Sequence, residues 1–155
     1  MQALIEKIEG KELTEKFNTY FNPLIKKLML NQNTIHIIDK YVVHIPNPGK
    51  KHLYQVLNEN FLEIVCDKYG CCIFNNCLLQ SSKNQKKIIF SNIIQYLPIL
   101  VTNMFGNFVI QNILARQDQQ INTKIIDELT PDLVSFCKDK FGSRVIEKVR
   151  IFFLS

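Results

Sequence analysis

The sequence predicts an all-α protein, a curved solenoid stacked from helical repeats with a 36-residue period. Three observations predict it. Glycine is scarce, five in 155 residues, yet Gly70, Gly106 and Gly142 stand 36 apart. Each follows an aromatic residue (Tyr69, Phe105, Phe141), comes three residues after Asp67, Asn103 or Asp139, and precedes an apolar pair, Ile73–Phe74, Val109–Ile110 or Val145–Ile146. Between the glycines, apolar residues recur at steps of three and four, the spacing of one helix face, and no segment sustains the alternation of a strand.

Along the chain, the period marks the tail of a preceding repeat (1–16), a degenerate repeat (17–52), repeats at 53–88 and 89–124, and a truncated repeat (125–155). In 17–52, Pro23 suits the first turn of a helix, where a missing N–H costs little. Asn31 takes the Asp/Asn place, Thr34 the glycine place, and Ile37–Ile38 the place of the apolar pair. A loop from His44 to Lys51, with Pro46, Asn47, Pro48 and Gly49 as turn residues, interrupts the array. In the later repeats Asp67, Asn103 and Asp139 are good N-caps for the helix that follows, and Pro131 opens the helix before. Two apolar series, Ile25/Phe61/Leu97/Leu133 and Leu28/Ile64/Leu100/Phe136, are expected in the core. The recurring glycines are expected to let helices pack closely. Each unit is two or three short helices that cannot bury their apolar faces alone, so neighbours stack.

Composition narrows the function. With 46% hydrophobic and 21% charged residues the chain is globular, and a net charge of +5 suits a polyanionic partner. The five cysteines (Cys66, Cys71, Cys72, Cys77, Cys137) are odd in number and no secretory segment precedes them, which points to reduced thiols in the cytosol or nucleus. Their spacing lacks paired C-x-x-C knuckles, so no metal is expected. The stretch from Ile88 to Ala115 carries no charge, but Asn92, Gln95, Asn103, Asn107 and Gln111 fit burial in a helical array better than a membrane span. His36, His44 and His52 have no nucleophile or metal partner, and no phosphate-binding glycine loop occurs; neither an enzyme nor a cofactor is expected. Lys26–Lys27 and Lys86–Lys87 read as solvated faces that can add unspecific phosphate contacts.

Three variable positions follow each glycine place: the first, second and fifth. The first and fifth are four residues apart, one helical turn, and share a face; the second lies about 100° around, on its flank. Two side chains can then meet one planar edge while the third stacks beside it, a sensible grip on one unpaired base per repeat. The four sets are Ile35, His36 and Asp39; Cys71, Cys72 and Asn75; Asn107, Phe108 and Gln111; and Ser143, Arg144 and Glu147. A carboxylate at Glu147 can accept from the N1–H and amino group of guanine, and the two amides of Asn107 and Gln111 can both donate to and accept from uracil. Arg144 and Phe108 offer flat surfaces for stacking.

The strings FGNFVIQNIL and FGSRVIEKVR resemble the base-reading helices of the Pumilio (PUF) family. The resemblance implies a right-handed solenoid of three-helix repeats with single-stranded RNA on its concave face, running antiparallel to the protein. It implies uracil at Asn107/Phe108/Gln111 and guanine at Ser143/Arg144/Glu147, hence 5′-GU within a UGU-containing element of an mRNA 3′ untranslated region. It further implies post-transcriptional regulation, translation-repression or deadenylation proteins as partners, a monomer, and a cytoplasmic place with nuclear or nucleolar alternatives. Against the family's adenine pattern only Cys71 fits: Cys72 stacks poorly and Asn75 is one methylene short, so weak adenine preference or little selectivity is expected there. His36 matches a stacking histidine of some family repeats, whereas Ile35 cannot hydrogen-bond and Asp39 would repel phosphate. Residues 2–6 resemble the end of an earlier reading helix, and the apolar run from Ile151 to Leu154 is not a polar cap; both lead to the expectation of a fragment or a mis-spliced product. The alternative is a helical-repeat scaffold for protein, or a degenerate relative acting in ribosome assembly through charge and shape. A pure scaffold has no reason to keep two adjacent triplets in register.

Overall fold

Apolar residues spaced for helix faces fold as helices throughout. The computed structural model describes residues 2–8 and 10–154, without the side chains of Gln2, Phe153 and Leu154. Met1 and Glu9 of the expected tail therefore lie outside the described residues, as do the last two side chains of the apolar run at 151–154. The helices are α1 (Gln2–Ile5), α2 (Lys11–Phe21), α3 (Ile25–Met29), α4 (Ile35–His44), α5 (Lys51–Glu59), α6 (Phe61–Val65) and α7 (Gly70–Gln80). They continue as α8 (Lys83–Gln95), α9 (Leu97–Thr102), α10 (Gly106–Leu114), α11 (Gln119–Leu129), α12 (Leu133–Lys138) and α13 (Gly142–Leu154). Among the described residues there is no strand. A long helix, a short one and a second long one recur, with α3, α6, α9 and α12 as the short members. A period fixes length but not phase: the boundaries drawn at 52/53, 88/89 and 124/125 fall inside α5, α8 and α11. Counted by whole helices, the repeats begin at Lys11, Lys51, Lys83 and Gln119.

The chain forms two compact units, residues 1–89 and 90–155. In the first, α4 packs against α1, α3 and α7, and α6 packs against α7. Ile25, Met29, Ile38, Leu53, Ile64 and Ile73 are all fully buried there, each such side chain contributing about 1.5–3 kcal/mol relative to an exposed one. Phe21 stacks on Tyr41 with ring centroids 4.6 Å apart, and Phe61 meets Phe74 edge-on at 5.6 Å. Stacking puts like positions side by side, so polar links recur one repeat plus one residue apart. Tyr69 donates to Gln32 Oε1 at 2.8 Å, Asn76 Nδ2 donates to Asp39 at 2.8 Å, and Lys26 pairs with Glu63 at 2.8 Å.

The expected loop from His44 to Lys51 is present but tied down. Ile45 is buried, and Asn47–Lys50 forms a single 3-10 turn leading into α5. Gly49 is needed there: a Cβ would stand 2.8 Å from Ile45 Cγ2 and 2.9 Å from Thr14 Cγ2. Its carbonyl accepts from Asn18 Nδ2 at 2.8 Å. Lys50, only 3% exposed, donates from Nζ to Val42 O at 2.7 Å, one of the carbonyls that the end of α4 leaves unpaired. The same carbonyl position is served in the next two repeats by Ser81 Oγ on Leu78 O (2.7 Å) and Asn122 Nδ2 on Leu114 O (2.9 Å).

In the second unit α10 packs against α9 and α13, and α12 against α13. Leu97, Leu100, Val101, Val109, Ile110 and Val145 are fully buried. The charge-free stretch is broken among α8, α9 and α10, and no described helix is long and apolar enough to cross a membrane. One core expectation is corrected. Leu133 is 39% exposed, because α12 packs mainly on α13 and the turn before it, whereas α9 is held by α10, α11 and α13. Leu28 is half-buried, and the remaining members of both series are buried.

Candidate nucleic-acid interface

The geometry of each helix that carries a triplet is set at its first residue. A Cβ on Gly70 would stand 2.2 Å from Ile64 O, on Gly142 2.7 Å from Phe136 O, and on Gly106 2.9 Å from Leu100 O. The start of each long helix thus lies directly on a carbonyl of the short helix before it. Thr34 has the same position and turns the contact into a bond: its Oγ1 donates to Leu28 O at 3.0 Å.

The recurring acid or amide upstream aims this start. Asp67 Oδ1 accepts from Tyr69 N and Gly70 N at 2.8 Å each. Asn103 Oδ1 accepts from Phe105 N at 2.8 Å and Gly106 N at 2.9 Å. Asp139 Oδ1 accepts from Phe141 N at 2.9 Å and Gly142 N at 2.7 Å, and these amides hold its carboxyl below the usual range. They satisfy otherwise unpaired amides as a cap does, but from within the preceding turn; the N-cap position of α7 and α10 is the aromatic residue, Tyr69 or Phe105.

Exposure follows the expected faces. The second-position residues His36, Cys72, Phe108 and Arg144 are all exposed, and the first-position residues are half-buried (Ile35, Ser143) or buried (Cys71, Asn107). At the fifth position Asp39, Asn75 and Gln111 are half-buried and Glu147 is exposed.

In the second unit the Asn107/Phe108/Gln111 triplet is pre-assembled. Asn107 is fully buried: its Nδ2 donates to Asn103 O at 2.7 Å and Met104 O at 2.9 Å, and its Oδ1 accepts from Gln111 Nε2 at 2.8 Å. Both amide hydrogens of Asn107 are therefore spent, and it holds Gln111 in place. Gln111 keeps one N–H and its Oε1 for an outside edge. Phe108 stands beside it, 45% exposed. On α13, Ser143 Oγ donates to Lys140 O at 3.3 Å and Arg144 is exposed. The Glu147 carboxylate is forked by Arg150, Nε to Oε2 at 3.0 Å and Nη2 to Oε1 at 2.6 Å, which holds it ionised below the usual carboxylate range. Arg150 was not among the sequence candidates; an acid and a base three apart on a helix was the available signal.

In the first unit the triplets turn inward. Cys71 and Cys72 both direct their thiols at Lys68 O, at 3.4 and 4.0 Å, and burial pushes the Cys71 thiol up to about 12. Asn75, one methylene short, folds back to donate to Cys71 O at 3.0 Å, leaving its Oδ1 buried with no partner among the described residues. Asp39 is engaged by Asn76, and His36 borders an open depression with Asp39, Lys40, Val43 and His44. All five cysteines are free thiols, and no group of three metal-ligating side chains occurs among the described residues.

The Pumilio-family RNA binding repeat matches residues 60–94, 99–130 and 132–149, more than half of the chain. The chain belongs to the Pumilio family. The matched spans contain three of the four triplets; Ile35, His36 and Asp39 lie outside them. Pumilio homolog 12 of Arabidopsis thaliana is 25% identical over 148 residues, 96% of this chain and 25% of the relative. Pumilio homology domain family member 4 of Saccharomyces cerevisiae is 25% identical over 131 residues, 82% of this chain and 15% of the relative. This chain thus spans a quarter or less of those two relatives. Among solved structures, the Puf4 RNA binding domain bound to an HO endonuclease RNA 3′ UTR recognition sequence superposes with a TM-score of 0.90 at 24% identity, over 99% of this chain and 51% of that one. The RNA-binding domain of yeast Puf5p bound to SMX2 RNA gives a TM-score of 0.82 at 25% identity, over 96% and 44%. The fold is therefore that of the family's helical-repeat solenoids.

Proposed function

We propose that this chain binds single-stranded RNA and reads bases with two adjacent triplets of its second unit, guanine at Ser143/Arg144/Glu147 and uracil at Asn107/Phe108/Gln111. The observation that carries the reading is the pre-assembled pair on α10. A buried asparagine, spent on backbone carbonyls, holds one glutamine edge outward beside an exposed phenylalanine. An edge with one donor and one acceptor next to a stacking ring suits a planar base. Family membership supports the reading, as do relatives solved with 3′ UTR recognition sequences. The target is then a UGU-containing element in a messenger RNA, and the outcome is post-transcriptional regulation through recruited repression or deadenylation proteins. The chain does no chemistry on the RNA and acts in the cytoplasm.

A second reading has one observation behind it. Asp39 and Asn75 are turned to structural bonds, so the first unit offers little base reading, as in a degenerate relative that holds RNA by charge and shape.

The test is fluorescence anisotropy at fixed near-physiological salt, with a short RNA containing UGUA and the same RNA with G changed to C. Base reading predicts a preference of about tenfold or more for UGUA, roughly 1.4 kcal/mol. Equal, salt-dependent binding to both would leave only the second reading.

A further inference from the structure

We infer that Arg150 is a specificity-determining residue that competes with guanine for Glu147, so that its removal sharpens the preference for guanine. The inference rests on the base-reading function proposed above. Arg150 presents two parallel N–H groups, from Nε and Nη2, to the two oxygens of Glu147 at 3.0 and 2.6 Å. Guanine would present the same donor pair, N1–H and the amino N–H, both on nitrogens bonded to one carbon. A carboxylate has one such outward face for two parallel donors. Guanine cannot take that face while the fork is closed.

Position explains how the arginine gets there. Arg150 lies seven residues after Ser143 and three after Glu147, so all three fall along one side of α13. The equivalent residues of the other repeats are Val42, Leu78 and Leu114, all buried at 2% exposure or less. Here the side chain is 63% exposed and reaches back one turn to a carboxylate that is 55% exposed. An ion pair this open is weak and screened by salt. It can therefore be displaced by RNA, at a cost that falls on the guanine arm alone. A base such as cytosine that does not need the carboxylate leaves the fork shut.

The experiment compares the full chain with R150Q and R150K, each titrated with the UGUA and UCUA RNAs at several salt concentrations. Helical circular dichroism checks each fold, and the side chain's exposure makes both changes tolerable. The G-over-C ratio should rise about two- to fivefold in R150Q, the range open to an exposed pair. R150K keeps the charge but loses the fork and should fall between. In the wild type the ratio should climb with salt toward the R150Q value, while that of R150Q stays flat. If the wild type prefers guanine and R150Q keeps or lowers that ratio, Arg150 orients Glu147 or does nothing, and the inference falls while base reading stands. If neither protein prefers guanine, the base reading itself is wrong and the inference goes with it.

Discussion

Replacing the recurring glycines by alanine should destabilise the chain in an order set by one contact. In Gly70→Ala the new Cβ would lie 2.2 Å from Ile64 O and 3.0 Å from the carbonyl carbon, where ordinary contact begins at 3.4 Å, so α6 must retreat by more than 1 Å. In Gly106→Ala the corresponding distance is 2.9 Å, and about half that retreat suffices. Gly142→Ala, at 2.7 Å, falls between. Against the strain stands a gain of about 0.4–1 kcal/mol from the smaller conformational freedom of alanine in the unfolded chain. Overpacking costs about 1–3 kcal/mol and more where backbone must move. Gly70→Ala should therefore lose about 2–3 kcal/mol net and Gly106→Ala less than about 1 kcal/mol. Urea unfolding followed by helical circular dichroism reads this, with the slope reported beside the midpoint because two compact units need not unfold together. Thr34→Gly is the internal control. It restores the family's glycine but removes the bond to Leu28 O, so it should lose about 0.5–1.5 kcal/mol rather than gain stability. Equal losses in Gly70→Ala and Gly106→Ala, or a neutral Gly70→Ala, would refute the claim that this backbone contact fixes the glycine.

Two further changes separate reading from folding. Gln111→Ala should leave the melting temperature nearly unchanged and weaken binding of uracil-containing RNA by about 1–3 kcal/mol relative to a substituted base; Asn107→Ala, which removes bonds to two carbonyls and the support for Gln111, should lower both stability and discrimination in the same assays. Because amides depress the Asp139 carboxyl in the folded state, its contribution to stability is present above the unfolded carboxylate range and is lost as pH falls through the depressed value. Asp139→Asn should keep the two amide bonds, as Asn103 does, and remove that share of the acid-side loss in unfolding measured between neutral pH and the carboxylate range.

What was legible in the sequence is what the backbone dictates. Gly70, Gly106 and Gly142 recur because a carbonyl leaves no room for a Cβ, and Asp67, Asn103 and Asp139 recur because each helix start has unpaired amides. Constraints of that kind repeat with the fold, so a single sequence reveals them. The fate of the polar candidate residues was not legible, because it depends on what stands nearby in space. Asp39 read as a repulsive carboxylate, but Asn76 of the next repeat takes it up. Glu147 read as open, but Arg150 closes it. Lys50 sits in a stretch read only as a loop of turn residues, and its burial follows from the carbonyl it meets at the end of α4. Leu133 read as core from its series, and its exposure comes from the packing around α12.

The hydrogen bonds also divide labour within a triplet. At the first position the side chain bonds backward to the preceding turn in three repeats: Cys71 to Lys68 O, Asn107 to Asn103 O and Met104 O, Ser143 to Lys140 O. Its donor hydrogens are used there, and lone pairs are what it has left for a ligand. The fifth position must then complete the edge: Gln111 with a donor and an acceptor, Glu147 with acceptors only. Asn75 shows what one missing methylene does, since its amide reaches its own helix and stops there. On the proposed function, base choice would reside mainly in the fifth residue and in whatever holds it. For Gln111 that holder is a buried asparagine on the same helix, and for Glu147 it is an arginine carrying the same paired donors as guanine.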